Sequence, residues 1–403
     1  RVNGVSTSIR TFREELAKLG HRVDLIAPDY RRAKEKGAER SGAARPSGGS
    51  AHAAHTHVDD AGIRRIPARV VVVDPEDRMM RAGRIRRLLP ELRDEKYDLV
   101  HIQTPFVAHA VGIGLAKELG VPAVESYHTF FEEYLFHYVP FLPRGWLRWF
   151  ARYTSRRQCN RVDALIVPST AMREVLARYG IRTDMPIIPT GIHIERFRDG
   201  DGGRFRARWG IAGDRPVLTH IGRVAFEKNI PFLLDVFQEV RRHQKDALFV
   251  IAGEGPARPS LERRVRKMGL AADVLFVGNF HRTEDLADCY AAGDAFVFAS
   301  RTETQGLVLL EAMALGVPVV STAVMGTRDI LLAGKGCLVA EENVRDFARK
   351  VSAVCVDDDL RARISAEGRE YVKEWTARRM AERLASYYST VIRKYRERHR
   401  AAA

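Results

Sequence analysis

Two doubly wound, Rossmann-like α/β domains facing across a cleft are the architecture this sequence predicts, on three observations. Strand-length apolar runs alternate with helix-period segments through both halves of the chain. With 403 residues, the chain exceeds one ordinary core and suits about two domains. Polar groups cluster just past the carboxyl ends of several strands, where open parallel sheets bind ligands. The expected division is 1–193, 194–375, and a final helical segment over 376–403, with the Gly-rich stretch 199–203 as linker.

In the first domain, Ser6 or Thr7 can cap a helix that runs to about Leu19 and stops at Gly20. A strand follows over 21–27. No strand precedes Asn3-Gly4-Val5, so the sequence reads as lacking its natural N-terminus. Residues 31–62 are rich in Ala, Gly, Ser, Arg and His and poor in bulky apolar groups, which predicts a mobile loop. His52, His55 and His57 lie in that tract, where a metal site is a weak reading. A strand at 70–73, a basic helix over 78–93, a strand over 97–103 and a helix ending near Gly120 come next. The strand over 121–127 runs into His128, a polar group at a strand's carboxyl end.

Residues 136–161 read as an amphipathic helix. Arg144, Arg148, Arg152 and Arg156 recur every fourth residue as one basic stripe, while Leu142, Trp146, Trp149, Phe150 and Tyr153 supply an apolar side. Such a helix suits the lipid headgroup region. It equally suits packing on its own domain with the arginines solvated. After it come a strand over 163–169 and a helix capped by Ser169.

The second domain opens with a strand over 216–222 that leads to Arg223, with Lys228 at the mouth of the next helix. Arg grips a diphosphate bidentately, Lys adds a point charge, and helical N–H groups assist. Strands over 247–252 and 274–280 follow, the latter ending at Phe280. A strand over 295–299 then runs through a polar turn carrying Glu303, Thr304, Gln305 and Gly306. The helix that starts at Leu307 carries Glu311 and ends at Gly316. From Arg361 onward the pattern is helical.

Composition narrows the function classes. No apolar run approaches the roughly 20 residues that cross a bilayer. Cys159, Cys289, Cys337 and Cys355 are dispersed and read as reduced cytosolic thiols. The net charge of +15 is uneven: residues 1–200 hold 33 Lys/Arg against 24 Asp/Glu, 201–376 hold 25 against 25, and 377–403 hold 8 against 2. Basic surface attracts anionic lipid or nucleic acid. No zinc finger, RRM signature or helix-turn-helix supports nucleic acid, and no G-x-G-x-x-G after a strand supports a nicotinamide enzyme.

The pair Glu303 and Glu311, with seven residues between them on a strand-turn-helix, resembles the E-x7-E signature of retaining GT-B glycosyltransferases of family 4. The run Thr302-Glu303-Thr304-Gln305-Gly306-Leu307 and the form Asn3-Gly4-Val5 resemble the branch that glycosylates diacylglycerol. The resemblance covers nearly the whole chain. It implies that Glu303 and His128 are catalytic and orient the donor sugar, with Thr304 and Gln305 beside it. It further implies a diphosphate site at Gly4, Arg223, Lys228, Gly306 and Leu307, and ribose and base contacts at Glu311 and Phe280. Transfer from a nucleotide sugar, a UDP-sugar such as UDP-glucose favoured, would need no cofactor and no metal, since Asp357-Asp358-Asp359 lies outside the motif region. The expected acceptor is a membrane lipid such as diacylglycerol. The anionic cytoplasmic face of the inner membrane would be touched by Arg144, Trp146, Arg148, Trp149, Arg152 and Arg156. A soluble or polysaccharide acceptor, with GDP-mannose as donor, is the alternative; a non-catalytic sugar-nucleotide-binding protein is a minor one.

Overall fold

The computed structural model describes residues 4–29, 62–71, 74–128, 143–280 and 282–401. The loop expected at 31–62 and its three histidines lie, Gly62 apart, outside the described residues. The first helix spans Gly4–Lys18, so it starts ahead of the expected Ser6 or Thr7 cap. β1 (Leu25–Asp29) pairs parallel with β2 (Ile63–Val71), which pairs antiparallel with β3 (Asp74–Met80). The expected helix over 78–93 is therefore corrected. Residues 74–80 are a strand, and only short helices follow at Ala82–Arg86 and Leu89–Asp94, the second with Pro90 in its first turn. Basic spacing suggested a helix, but hydrogen bonding to β2, a partner that helical periodicity does not reveal, decides the segment.

A separate sheet, parallel throughout, holds β4 (Val100–Ile102), β5 (Ala123–Ser126) and β6 (Ala164–Ile166) in that order. The second domain carries one six-stranded parallel sheet. Its strands are β7 (Val217–Ile221), β8 (Leu248–Ala252), β9 (Val274–Gly278), β10 (Ala295–Phe298), β11 (Val319–Ser321) and β12 (Cys337–Val339), in the order β12-β11-β10-β7-β8-β9. Side chains alternate between its faces. Val217, Val250, Phe296 and Val319 join one buried cluster with the helix Leu307–Ala314, while Leu218, Phe249, Val297 and Val320 join another with Ile230–Val240 and Val344–Val356. Burial on both faces is what near-continuous apolar strands require.

The chain crosses between domains twice, and the crossings touch. Ile192 N donates to Trp375 O at 2.9 Å, and Ala377 N donates to Ile192 O at 2.8 Å. Gly191 permits this approach, since a Cβ there would stand 2.5 Å from Thr376 O. The helical tail is interrupted at this point: Asp358–Tyr371 passes through a 3-10 turn at Val372–Trp375 before the last helix, Ala377–Ala401. That helix returns to the first domain, where Met380, Leu384 and Val391 pack with Phe12, Leu16, Val124 and Ile166. Asp357 accepts from Leu360 N at 2.9 Å and caps the helix behind it.

Candidate active site

Strand order in the six-stranded sheet reverses between β7 and β10, and ligands of open α/β sheets bind outside the carboxyl ends at such a point. The turn after β7 carries Arg223 and Lys228; the turn after β10 carries Glu303. The first turn is clamped onto its neighbour after β8, with Gly222 N donating to Ala252 O at 3.0 Å and Val224 N to Glu254 O at 3.0 Å. Gly253 has φ +134°, and a Cβ there would overlap Gly222 O at 1.8 Å, so only glycine fits.

Each expected diphosphate cation has an internal carboxylate partner. Arg223 donates to Glu227 at 2.6 Å. Burial works against ionisation of Glu227, yet Arg223 holds its carboxyl below the usual range. Lys228 Nζ is ion-paired with Glu303 Oε1, and each side chain is less than a fifth exposed. The residues expected at the phosphate and at the sugar are thus in direct contact. Sequence reading missed Glu227, although its position four residues after Arg223 was a usable signal.

The donor-side loop is held from below. Gly326 N donates to Glu303 O at 2.8 Å. Gly306, at φ +102°, turns the chain into the helix Leu307–Ala314, and a Cβ there would press on Thr327 at 3.0 Å. The first N–H groups of that helix open beside Glu303. Within the helix, Glu311 accepts from Tyr290 Oη at 2.7 Å, and burial pushes its carboxyl up. Phe280 sits edge-on to Phe205, with ring centroids 6.3 Å apart, partly buried against the second domain's core.

Two loop residues reach the other domain instead of standing free. Thr304 Oγ1 donates to His128 O at 3.2 Å. Gln305, expected beside the sugar, is only 6% exposed and is tied to the interdomain crossing: its Nε2 donates to Thr190 O at 2.6 Å and its Oε1 accepts from Thr190 N at 2.8 Å. Thr190 Oγ1 in turn donates to Ser8 Oγ at 2.8 Å, in the first helix. Asp329 adds a further bridge by accepting from Thr170 N at 2.7 Å. Sequence reasoning missed Thr190, Ser8 and Asp329, because partners more than a hundred residues apart leave no local signal.

On the first-domain side, His128 Nε2 pairs with Gln103 Oε1 at 2.7 Å, and burial pushes the imidazole down to about 4. Behind it, burial and then His128 push His101 to about 3. His101 contacts Ser126 Oγ at 2.9 Å and Tyr388 Oη of the last helix at 2.5 Å. His128 is therefore neutral near pH 7. Gly4 stands exposed at the start of the first helix, with open space around its α-carbon.

The aromatic helix spans Arg144–Cys159. The expected division into an arginine side and an aromatic side is corrected. Its inward ridge is Leu147, Ala151, Ser155 and Cys159, all buried at four-residue spacing. Trp146, Trp149 and Tyr153 are about half exposed and share the outward side with Arg148, Arg152 and Arg156. At the end of this ridge Cys159 packs with Ile102, Ala123 and Leu165 of the sheet, and the indoles stand outside it. Trp149 stacks on Tyr153 with ring centroids 5.5 Å apart, and Arg152 lies over the Tyr179 ring at 5.3 Å. The side chain of Arg144 lies outside the described residues. Among the described residues no helix is long and apolar enough to cross a membrane.

Comparison with known proteins follows the same two-domain division. A model described as Glycosyltransferase Family 4 matches residues 2–196, and one described as Glycosyl transferases group 1 matches residues 202–371. The chain is 31% identical over 328 residues to an alpha-monoglucosyldiacylglycerol synthase of Streptococcus pneumoniae, covering 80% of this chain and 68% of that protein. It is 30% identical over 340 residues to a GDP-mannose-dependent alpha-mannosyltransferase of Mycobacterium tuberculosis, covering 82% and 78%. Its fold is similar to that of HepE from Anabaena, solved with UDP and glucose, at a TM-score of 0.71 and 17% identity over 97% of each chain.

Proposed function

The chain belongs to the family 4 glycosyltransferases of GT-B fold and is a transferase enzyme, and on that premise we propose that it moves a hexose, glucose from UDP-glucose, onto a membrane lipid with a free hydroxyl such as diacylglycerol. The outward face of the Arg144–Cys159 helix carries this reading. Half-exposed indoles beside unburied guanidinium groups are costly in water and suited to a lipid headgroup layer. The similarity to a glucosyldiacylglycerol synthase supports the same acceptor. The enzyme would act as a peripheral protein on the anionic, cytoplasmic face of the inner membrane.

The chemistry follows from the switch-point geometry. As the glycosidic bond to the diphosphate breaks, charge develops on the leaving phosphate. Arg223, Lys228 and the N–H groups at Gly306 and Leu307 meet that charge without a metal or cofactor. Donor binding draws Lys228 toward the phosphate and frees Glu303 to accept from sugar hydroxyls. Neutral His128 faces the sugar from the other domain. Glu311 offers its second oxygen to the ribose, and the acceptor attacks on the face the diphosphate leaves, retaining configuration.

Label from UDP-glucose, with GDP-mannose run alongside, should enter the organic phase when diacylglycerol is supplied in mixed micelles, and more so with anionic lipid. Label confined to a soluble product would overturn the lipid acceptor. Preference for GDP-mannose would favour the second reading, which rests on the similarity to the mycobacterial mannosyltransferase.

A further inference from the structure

Behind His128 lies a cavity that none of the residues discussed so far explains. It has a volume of about 40 Å³ and sits between the carboxyl ends of β4 and β5 and the inner ridge of the aromatic helix. Gln103 and His128 form one wall, and Ser155, Gln158 and Cys159 form the other. On the measure by which one water needs roughly 10–15 Å³, it holds about three groups of water size, less than a pyranose ring requires.

Its lining includes a buried acid. Glu125 is 5% exposed, and its Oε2 accepts from His109 Nδ1 at 2.9 Å. Among the described residues nothing engages Oε1. A carboxylate oxygen at a cavity wall with no protein donor is open to a donor from a ligand. Among the described residues no Lys or Arg lines the cavity, and His128 is neutral. A phosphate-bearing headgroup would find a carboxylate there and no cation. An uncharged hydroxyl would find an acceptor.

The cavity also connects both functional faces. The helix that presents Trp149 and Arg152 outward contributes Ser155 and Gln158 inward. His128, on the opposite wall, accepts through its carbonyl from Thr304 of the donor loop. We propose that this cavity is the acceptor-recognition subsite, that Glu125 accepts a hydrogen bond from a hydroxyl of a small uncharged polyol end such as a glyceryl group, and that it discriminates against anionic acceptors. The proposal rests on the lipid reading for the identity of the acceptor, and its test separates the two.

The test measures binding of soluble dihexanoylglycerol in the presence of UDP, by saturation-transfer NMR, to the full chain and to Glu125→Gln and Gln158→Met. In Glu125→Gln the amide oxygen still accepts from His109, so the fold is kept. Glu125→Gln should bind dihexanoylglycerol about tenfold more weakly, the loss of one hydrogen bond to a charged group, and Gln158→Met, which alters the opposite wall, should also bind it more weakly, with UDP affinity unchanged in both. Affinity equal to wild type in both variants overturns the subsite, as does wild-type preference for a glycerol phosphate over dihexanoylglycerol. In the transfer assay, labelled diacylglycerol with an unchanged acceptor KM in Glu125→Gln sinks the subsite and leaves the lipid reading standing. Weakened binding in the variants without lipid labelling by wild type keeps the subsite and sinks the lipid reading.

Discussion

The two halves of the cleft use the same device, polar groups on turns past the carboxyl ends of parallel strands, but they assemble it differently. In the second domain the device is local: Arg223 and Lys228 follow β7 within seven residues, and Glu303 to Glu311 follow β10 as one strand-turn-helix. Its sheet is continuous and buried on both faces, and residues 201–376 around it balance 25 Lys/Arg against 25 Asp/Glu. In the first domain the working groups come from four segments. β4 and the residue after it supply His101 and Gln103, β5 and the turn after it supply Glu125 to His128, the aromatic helix supplies Ser155 and Gln158, and the last helix supplies Tyr388. A donor with an invariant diphosphate can be gripped by a motif. A small uncharged hydroxyl offers little charge to grip, so shape made by distant segments must recognise it.

The comparison can be tested hardest on the donor side. Arg223→Ala should lower kcat/KM by about 10²–10³-fold, the usual loss when a group that meets developing charge is removed. Lys228→Ala should do the same. Because Lys228 and Glu303 are paired, the double change with Glu303→Gln should cost less than the sum of the single changes. Strict additivity in steady-state kinetics would mean that the pair does not act as a unit.

Gln305→Met probes the join between the halves. It removes two buried hydrogen bonds to Thr190 without opening a large cavity. Chemical denaturation should show a loss of about 1–3 kcal/mol, and small-angle scattering should show a larger radius of gyration as the domains part. A variant as stable and compact as wild type would remove Gln305 as a tie.

Acidification should act on both domains, since burial also pushes His220 of β7 in the second domain down to about 4. His128 and His101 are held at about 4 and about 3, below the ordinary 6.5. Below pH 6.5 the unfolded chain therefore binds more protons than the folded one. The stability tied to these neutral rings is fully present above that pH and is lost as pH falls toward 4 and then 3, at up to about 1.4 kcal/mol per pH unit for each. The fall in melting temperature across this window should be shallower in His101→Asn. Equal slopes would place the proton uptake elsewhere.

The smallest effect belongs to the outer face of the aromatic helix. Arg152→Gln should weaken pelleting with anionic vesicles by about 1 kcal/mol and reduce its salt dependence, with no change in UDP affinity. Equal pelleting by wild type and variant at low salt would leave the helix as a packing element only.

Legibility followed the same divide. The strand ends at Ile221, Ala252 and Phe298 could be read because a parallel strand buried on both faces is a short apolar run whatever it packs against. Arg144 to Cys159 could be read as a helix, but its inward side could not. The aromatic side suits a lipid headgroup layer or the domain's own surface equally, and spacing alone does not single out the buried ridge of Leu147, Ala151, Ser155 and Cys159. The start of the expected helix, 78–80, was misread for a related reason: its ladder to Ala68 and Arg69 is a pairing that helical spacing does not reveal.

The sequence by itself determined the α/β alternation, the two-domain plan, and the charged groups on the turns after β7 and β10. Each of these is encoded within a dozen or so neighbouring residues, by burial pattern, glycine placement and charge. Only the tertiary structure decided that Lys228 faces Glu303, that Gln305 holds Thr190 across 115 positions, and that Glu125 borders a cavity beside His128. Those facts depend on which distant backbones come within a few ångströms. That is settled by packing of the whole chain and leaves no trace in local sequence.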